Sequence, residues 1–316
     1  MKILFTSVGR RVELLQMFRN AAQKLKKELM ICGSDIDVSA PALQFCDKTV
    51  ITPRIKTEEY IPFLVDYCKK EKINVLIPTI DTDLLILSEN IDLFKEVGTK
   101  VVISSPEKIK ICRDKNYTAE YFNSVGLNSP LPVDDITKYT GGFPAFIKPK
   151  DGSSSINAYK VNSLEELKTY SDRVPDYIVQ PFITGTEYTI DVFCDFDGNL
   201  IYATPRIRLA VRAGEVLKTE IRTDKIMIEE MKALVADYKP CGAITVQLIK
   251  DDSTGINWYI EINPRFGGGA PLSMKAGADS ACALLKILSG EKVDFDVSAA
   301  EDRATFSRFD QSVRVK

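Results

Sequence analysis

Along the first hundred residues the apolar positions follow two alternating rhythms. Short unbroken apolar runs predict buried strands at residues 2–6, 29–33, 75–78 and 100–104. Between them, apolar residues recur every three or four positions over 12–25, 58–70 and 84–95, a spacing that lines them up on one helix face. Strands alternating with helices in this way form a parallel, doubly wound sheet.

From about Arg113 the rhythm changes. Asp114 is placed to cap a helix that reaches Val125 and closes at Gly126. Strands are expected at 146–148, 157–161 and 177–180, with a helix starting after Ser163. Residues 187–194 and 200–204 flank Asp195-Phe196-Asp197-Gly198-Asn199, a hairpin signal, and 243–250 and 257–263 flank the turn formers Asp251-Asp252-Ser253-Thr254-Gly255. The expected fold class is α/β followed by α+β. A leading domain would cover 1–112, and a two-lobed domain would follow with lobes at 113–183 and 184–316. No repeat, low-complexity tract or long linker separates these parts, so ligands belong between packed lobes.

The last hairpin concentrates the chemistry. A turn centred near Thr254 sets Gln247 opposite Glu261 in an antiparallel pair. Strand alternation places Glu261 and Asn263 on one face and sends Ile260 and Ile262 into a core on the other. Gln247, Glu261 and Asn263 then offer one carboxylate and two amide oxygens. That set suits Mg2+, which keeps its other positions for water and phosphate. A bridging Glu261 would hold two ions across the phosphates of a nucleotide. Arg265, two residues further on, is placed to meet a transferred phosphate bidentately. Taken singly, the same residues read as a strand end, a capping Asn, a Pro stop and a surface Arg; only their joint pattern makes a site.

Composition narrows the possible reactions. With no histidine among 316 residues, Ser-His-Asp and Cys-His catalysis and His-ligated metals are excluded. Lys and Arg total 42 against 44 Asp and Glu, so the net charge of -2 gives no drive toward nucleic acid or an anionic membrane. The seven cysteines are scattered and odd in number, without a C-x-x-C pair, and read as reduced core residues of a cytoplasmic protein. No basic leader and no apolar stretch of roughly 18 residues is present, so neither secretion nor membrane spanning is expected. Positioning a polyanion and neutralising its charge fits this inventory of carboxylates, Lys, Arg and bound ions.

Gln247, followed by Glu261-Ile262-Asn263-Pro264-Arg265, resembles the metal hairpin of ATP-grasp ligases. The likeness is strongest to a single synthetase unit of the carbamoyl-phosphate synthetase and biotin carboxylase branch, and it extends over nearly the whole chain, including the leading α/β domain. It implies a pre-ATP-grasp domain followed by a two-lobed ATP-grasp domain that binds ATP with Mg2+, two ions being expected and Mn2+ an admissible substitute. It also implies roles for individual residues. Lys115 and Lys148 would contact phosphates, and the loop Asp151-Gly152-Ser153-Ser154-Ser155 would close over them. Gln180, Pro181, Phe182 and Ile183 would flank the adenine, and Glu187 would accept from the ribose hydroxyls. The implied reaction phosphorylates a carboxylate oxygen and passes the acyl group to an amine.

This chain departs from the pattern in three places. Its loop is rich in serine rather than glycine, Gln180 stands where a Glu is usual, and Phe266-Gly267-Gly268-Gly269 fills a stretch where carbamoyl-phosphate synthetases carry another arginine. The last departure turns the expectation from bicarbonate toward a carboxylate-amine ligase. Two rival readings stay open: phosphorylation of bicarbonate or carbamate by a single or split unit, and a non-catalytic nucleotide-binding subunit. A nicotinamide oxidoreductase, suggested by Gly9 and Asp35, lacks G-x-G-x-x-G.

For the acceptor, the cationic run Arg206, Arg208, Arg212 and Lys218 is available, with Arg208 and Lys218 the expected contacts and surface solvation the competing account. Ser7 to Arg11, Asp35, Thr79, Asp81 and Asp83 follow strand ends, where open α/β sheets place ligands, although the last two aspartates equally suit helix capping. The expected partners are a small-molecule carboxylate and an amine, with no nucleic acid and no membrane, and homo-oligomerisation is left open.

Overall fold

A computed structural model describes residues 1–150 and 157–315. Five strands build the first sheet: β1 (Lys2–Thr6), β2 (Met30–Asp35), β3 (Lys48–Ile51), β4 (Val75–Pro78) and β5 (Lys100–Val101). They run parallel in the order β3-β2-β1-β4-β5, as the alternation with helices requires. Ile3, Leu4 and Phe5 in the central β1 are fully buried, which is why that segment is uniformly apolar. The edge strand β3, Lys-Thr-Val-Ile, is mostly exposed and left no apolar run in the sequence.

The helix expected over 84–95 is two helices, Leu84–Glu89 and Ile91–Glu96. Asn90 separates them and turns its side-chain amide back onto the carbonyl of Ile86 at 2.8 Å, a local bond that competes with helix continuation. The strand expected over 100–104 pairs only at Lys100–Val101, because Pro106 soon opens the helix Pro106–Arg113.

A small antiparallel sheet follows, made of β6 (Ala145–Pro149), β7 (Tyr159–Val161) and β8 (Tyr177–Pro181) in the order β7-β6-β8. The third sheet holds β9 (Gly185–Cys194), β10 (Leu200–Arg212), β11 (Glu215–Ile221), β12 (Ala243–Asp251), β13 (Asn257–Asn263) and β14 (Thr305–Ser307), ordered β13-β12-β9-β10-β11-β14. β10 runs well beyond the expected 200–204 and turns into β11 through Ala213 and Gly214, both at positive φ. The helix Lys225–Tyr238 buries Met227, Met231, Leu234, Val235 and Tyr238 against this sheet.

One apolar cluster ties the first sheet to the end of the chain. Phe18 on the helix Val12–Lys24 meets Phe5 at 5.0 Å and Phe266 at 5.9 Å between ring centroids. Met274 and Leu284 complete the same cluster. The segment after Arg265 is thus pinned to the first sheet, and the cleft forms where β12, β13 and the β10–β11 hairpin face that sheet. All seven cysteines are free thiols. Among the described residues no helix is long and apolar enough to cross a membrane.

Candidate active site

The β12–β13 hairpin pairs Gln247 with Glu261 and Thr245 with Asn263. One detail of this hairpin differs from simple alternation. Gln247 faces Glu261 and Leu248 faces Tyr259, so Ile260 is the extra residue of a bulge. The bulge lets Tyr259 and Ile262 both enter the core, while Ile260, expected in the core, lines a cavity instead. It also aims Glu261 squarely into the cleft.

Two amide groups converge on one oxygen of Glu261. The side-chain nitrogen of Gln247 donates to Oε1 at 2.5 Å, and that of Asn263 donates to the same atom at 2.9 Å. The amide oxygens accept from arginines, Gln247 from Arg208 at 3.0 Å and Asn263 from Arg265 at 3.2 Å. Turning both amides over exchanges each N–H for an oxygen, and the three residues then present oxygens toward one another, the donor set a hard cation takes. Among the described residues no group of three or more carboxylates or thiols gathers. An ion held at Glu261 therefore draws on amide oxygens and on the oxygens of its substrate.

On one side of Glu261 lies a cavity of about 440 Å³ between the small sheet and the third sheet. Lys115, Lys148, Gln180, Pro181, Phe182, Ile183, Glu187 and Arg208 line it together with Gln247 and Glu261. Lys148 projects from the end of β6. Burial pulls its pKa down to about 8, the nearby Lys115 charge adds to this, and Glu261 opposes it. The Lys115 ammonium donates to the carbonyl of Lys150 at 2.9 Å. At the far end Phe146 and Phe182 stand 6.1 Å apart and, with Leu248, Ile249 and Ile260, make an apolar slot. Glu187 lies 3.4 Å from Arg208 Nε. Ser153, Ser154 and Ser155 lie outside the described residues.

On the other side is a chamber of about 530 Å³, which shares Lys115, Gly214, Gln247 and Glu261 with the first cavity. Its charged walls are Arg11 from the loop after β1, Asp81 from the loop after β4, Arg265 after β13, and Glu215 at the β10–β11 turn. Arg265 contacts Asp81 at 2.6 Å and Arg11 lies 3.5 Å from Glu215. Burial and the Arg265 charge both lower the pKa of Arg11, with Glu215 and Asp81 pulling the other way. Glu215 was not singled out in the sequence; the turn signal Ala213-Gly214 was the available clue.

The remaining candidates separate clearly. Lys218 is exposed on β11, opposite Ala210, and lines neither cavity. Arg206 is buried beneath the site, its Nε 2.8 Å from Asp191, which also accepts from Ser273 at 2.6 Å. Arg212 turns outward to Asp310 at 2.9 Å. Within the cationic run only Arg208 lines the cleft, and register shifts on either side of Ala210 break the alternation between Arg208 and Arg212. Asp83 is fully buried and accepts from Thr6, Ser7 and Tyr60; burial pushes its carboxyl up to about 6. It is a structural anchor, whereas Asp81 faces the chamber. Asp35 accepts from the Gly9 amide at 2.8 Å and from the Asp37 amide, so it is committed to its own loop rather than to a ribose.

A two-lobed nucleotide-sized cleft closed by this hairpin, behind a parallel α/β unit, is the arrangement that the resemblance to ATP-grasp ligases implies. Family models place it further. One described as "PylC-like, N-terminal domain" matches residues 3–102, and one described as "ATP-grasp in the biosynthetic pathway with Ter operon" matches 173–311. The chain is similar to a carbamoyl-phosphate synthase of Methanobrevibacter smithii, 21% identical over 260 residues that cover 75% of this chain and 68% of the relative. It is also similar to a 3-methyl-D-ornithine–L-lysine ligase of Methanosarcina acetivorans, 27% identical over 229 residues, 70% of this chain and 60% of that one.

Two solved structures share the fold. The N5-carboxyaminoimidazole synthetase of Staphylococcus aureus complexed with ADP superposes at a TM-score of 0.75 with 16% identity, covering 93% of this chain and 78% of that one. A Campylobacter jejuni biotin carboxylase superposes at 0.74 with 17% identity, over 96% and 74%.

Proposed function

We propose that this protein is an ATP-dependent, Mg2+-requiring ligase that activates a carboxylate as an acyl phosphate and joins it to an amine. The observation that carries the reading is the position of Glu261: it stands where the two cavities meet, with Gln247 and Asn263 turned onto it. The 440 Å³ cavity takes the nucleotide. Its apolar slot suits an adenine, Gln180 to Ile183 supply the edge contacts, and Glu187 accepts from the ribose. Lys148 and Lys115 meet the phosphates. Domain limits at 112 and 183 place the nucleotide between the second and third units.

In the first step an oxygen of the acceptor carboxylate attacks the γ-phosphorus and ADP leaves. An amine nitrogen then attacks the acyl carbon, phosphate leaves and the nitrogen gives up a proton. Charge accumulates on the transferred phosphoryl oxygens in the first step, and Lys148 and Arg265 are placed to offset it. Gln247, Glu261 and Asn263 would hold Mg2+, which when bound would neutralise phosphate charge; two ions, or Mn2+ in their place, are the expected occupants.

Phosphorylation of bicarbonate is disfavoured by the stretch after Arg265, where Phe266-Gly267-Gly268-Gly269 carries no arginine. A Cβ at Gly267 would come within 2.6 Å of Thr245, one at Gly268 within 2.0 Å of Glu215, and one at Gly269 within 2.5 Å of Arg206. Any side chain placed there must first displace these neighbours.

Glu261→Gln should lower ADP release by on the order of 10²–10³-fold, the scale for losing one preorganised electrostatic contact in the transition state. Thermal unfolding of the variant should match the parent. Near-normal turnover in the variant would remove the metal assignment, and Mg-ATP binding without ADP release, whatever the acid and amine supplied, would favour a non-catalytic subunit.

A further inference from the structure

The second chamber holds more charge than a simple carboxylate needs. Two guanidinium heads, Arg11 and Arg265, stand with two carboxylates, Asp81 and Glu215, in one cluster. The contributions come from both sides of the cleft: Arg11 and Asp81 from loops of the first sheet, Arg265 and Glu215 from the third sheet. Each ion pair therefore bridges the chamber, and each sets a positive and a negative head side by side. Among the described residues, Arg265 Nε is buried with no hydrogen-bond partner, so this wall keeps an unused donor.

Glu215 is held in place from several directions. Arg308, just beyond β14, lies 3.4 Å from its carboxylate, and Arg11 lies 3.5 Å from it. Gly268 leaves the space that its head occupies, since a Cβ there would fall 2.0 Å from Oε2. An acceptor that carried only negative charge would be drawn to the arginines and repelled by the two acids beside them. A molecule with adjacent charges of opposite sign satisfies all four heads.

Resting on the ligase reading above, we infer that the activated substrate is an amino acid, its carboxylate lying between Arg265 and Arg11 and its ammonium between Asp81 and Glu215. The carboxylate then sits beside Glu261 and Asn263, at the mouth of the nucleotide cavity, while the ammonium, held protonated between two carboxylates, is not a nucleophile. Arg11 and Glu215 act as positioning and specificity residues. A chamber of about 530 Å³ accommodates an amino acid with its side chain and leaves room for the incoming amine.

The test uses the full chain with Mg-ATP and a matched panel: amino acids, the same acids lacking the amino group, and the same amines lacking the carboxyl group. ADP release should occur with the first set, and deleting the amino group should raise KM by at least about tenfold, the loss of one charge-assisted hydrogen bond. Glu215→Gln should shrink that discrimination while leaving Mg-ATP affinity unchanged, and Glu215→Asp should restore part of it. Gly268→Ala, which crowds the Glu215 head without touching substrate, should act in the same direction as Glu215→Gln. Equal turnover of amino acids and their deaminated counterparts would overturn the inference and leave the ligase standing, as would unchanged discrimination in both variants. Absence of Mg-ATP binding in the parent would instead overturn the ligase reading and the inference with it.

Discussion

Lys148 shows how position alone retunes a common side chain. As an ordinary lysine it would stay charged far above neutrality, but at the end of β6 its ammonium is desolvated and its pKa falls to about 8. Affinity for Mg-ATP should therefore weaken as pH rises through about 8, because the neutral amine no longer pairs with phosphate. Lys148→Arg, whose guanidinium stays charged, should hold affinity level to a higher pH; Kd measured from pH 7 to 9.5 checks this, and a flat profile in the parent would refute it. The linked stability has a definite sign. A lowered pKa means that the folded chain binds fewer protons than the unfolded one between about 8 and the ordinary lysine value, so this group makes the protein more stable as pH rises across that window. At this scale the sequence identified Gln247, Glu261, Asn263 and Arg265 by type and spacing. It did not single out Glu215, whose importance comes from neighbours more than fifty residues away.

At the scale of elements, legibility followed the turns. The β12–β13 register was readable because turn formers at 251–255 fix the pairing of alternating strands, yet the bulge at Ile260 was not, since an extra apolar residue leaves no mark in an apolar run. β10 was underestimated because its second half carries Arg206, Arg208 and Arg212, each satisfied by a different environment. Asp224 joins two elements at once. It caps the helix Lys225–Tyr238 by accepting from the amides of Ile226 and Met227, and it receives Lys250 of β12 at 2.7 Å. Asp224→Ala should cost about 1–2 kcal/mol, the range for a lost N-cap, and Asp224→Asn should recover most of it. A denaturant midpoint unchanged in the alanine variant would show that the cap carries nothing.

Across the whole molecule, the first sheet and the end of the chain share one core, and this sets the shape of the cleft. Phe18 touches both Phe5 and Phe266, so Phe18→Ala should cost about 3–5 kcal/mol, the usual range for emptying a buried phenylalanine site. The single tryptophan, Trp258, lies on β13, remote in sequence from that substitution, and reports on the ATP-grasp part of the chain. Its fluorescence transition should shift to lower denaturant together with the far-UV circular dichroism. A Trp258 transition that stayed at the parental midpoint would show that the two parts unfold separately.

The sequence by itself determined the class of sheet, the strand carrying the candidate metal ligands, the exclusion of histidine chemistry and the resemblance to ATP-grasp ligases. Those properties depend on residue type and on spacings of two to about fifteen, which a linear chain displays directly. Only the tertiary structure decided which charges meet. It buried Asp83 and left Asp81 facing the chamber, withdrew Arg206 and Lys218 from the cleft while keeping Arg208, and brought Arg11, Asp81, Glu215 and Arg265 together from four separate stretches of the chain. Electrostatic partnership depends on distance through space, which sequence spacing does not display.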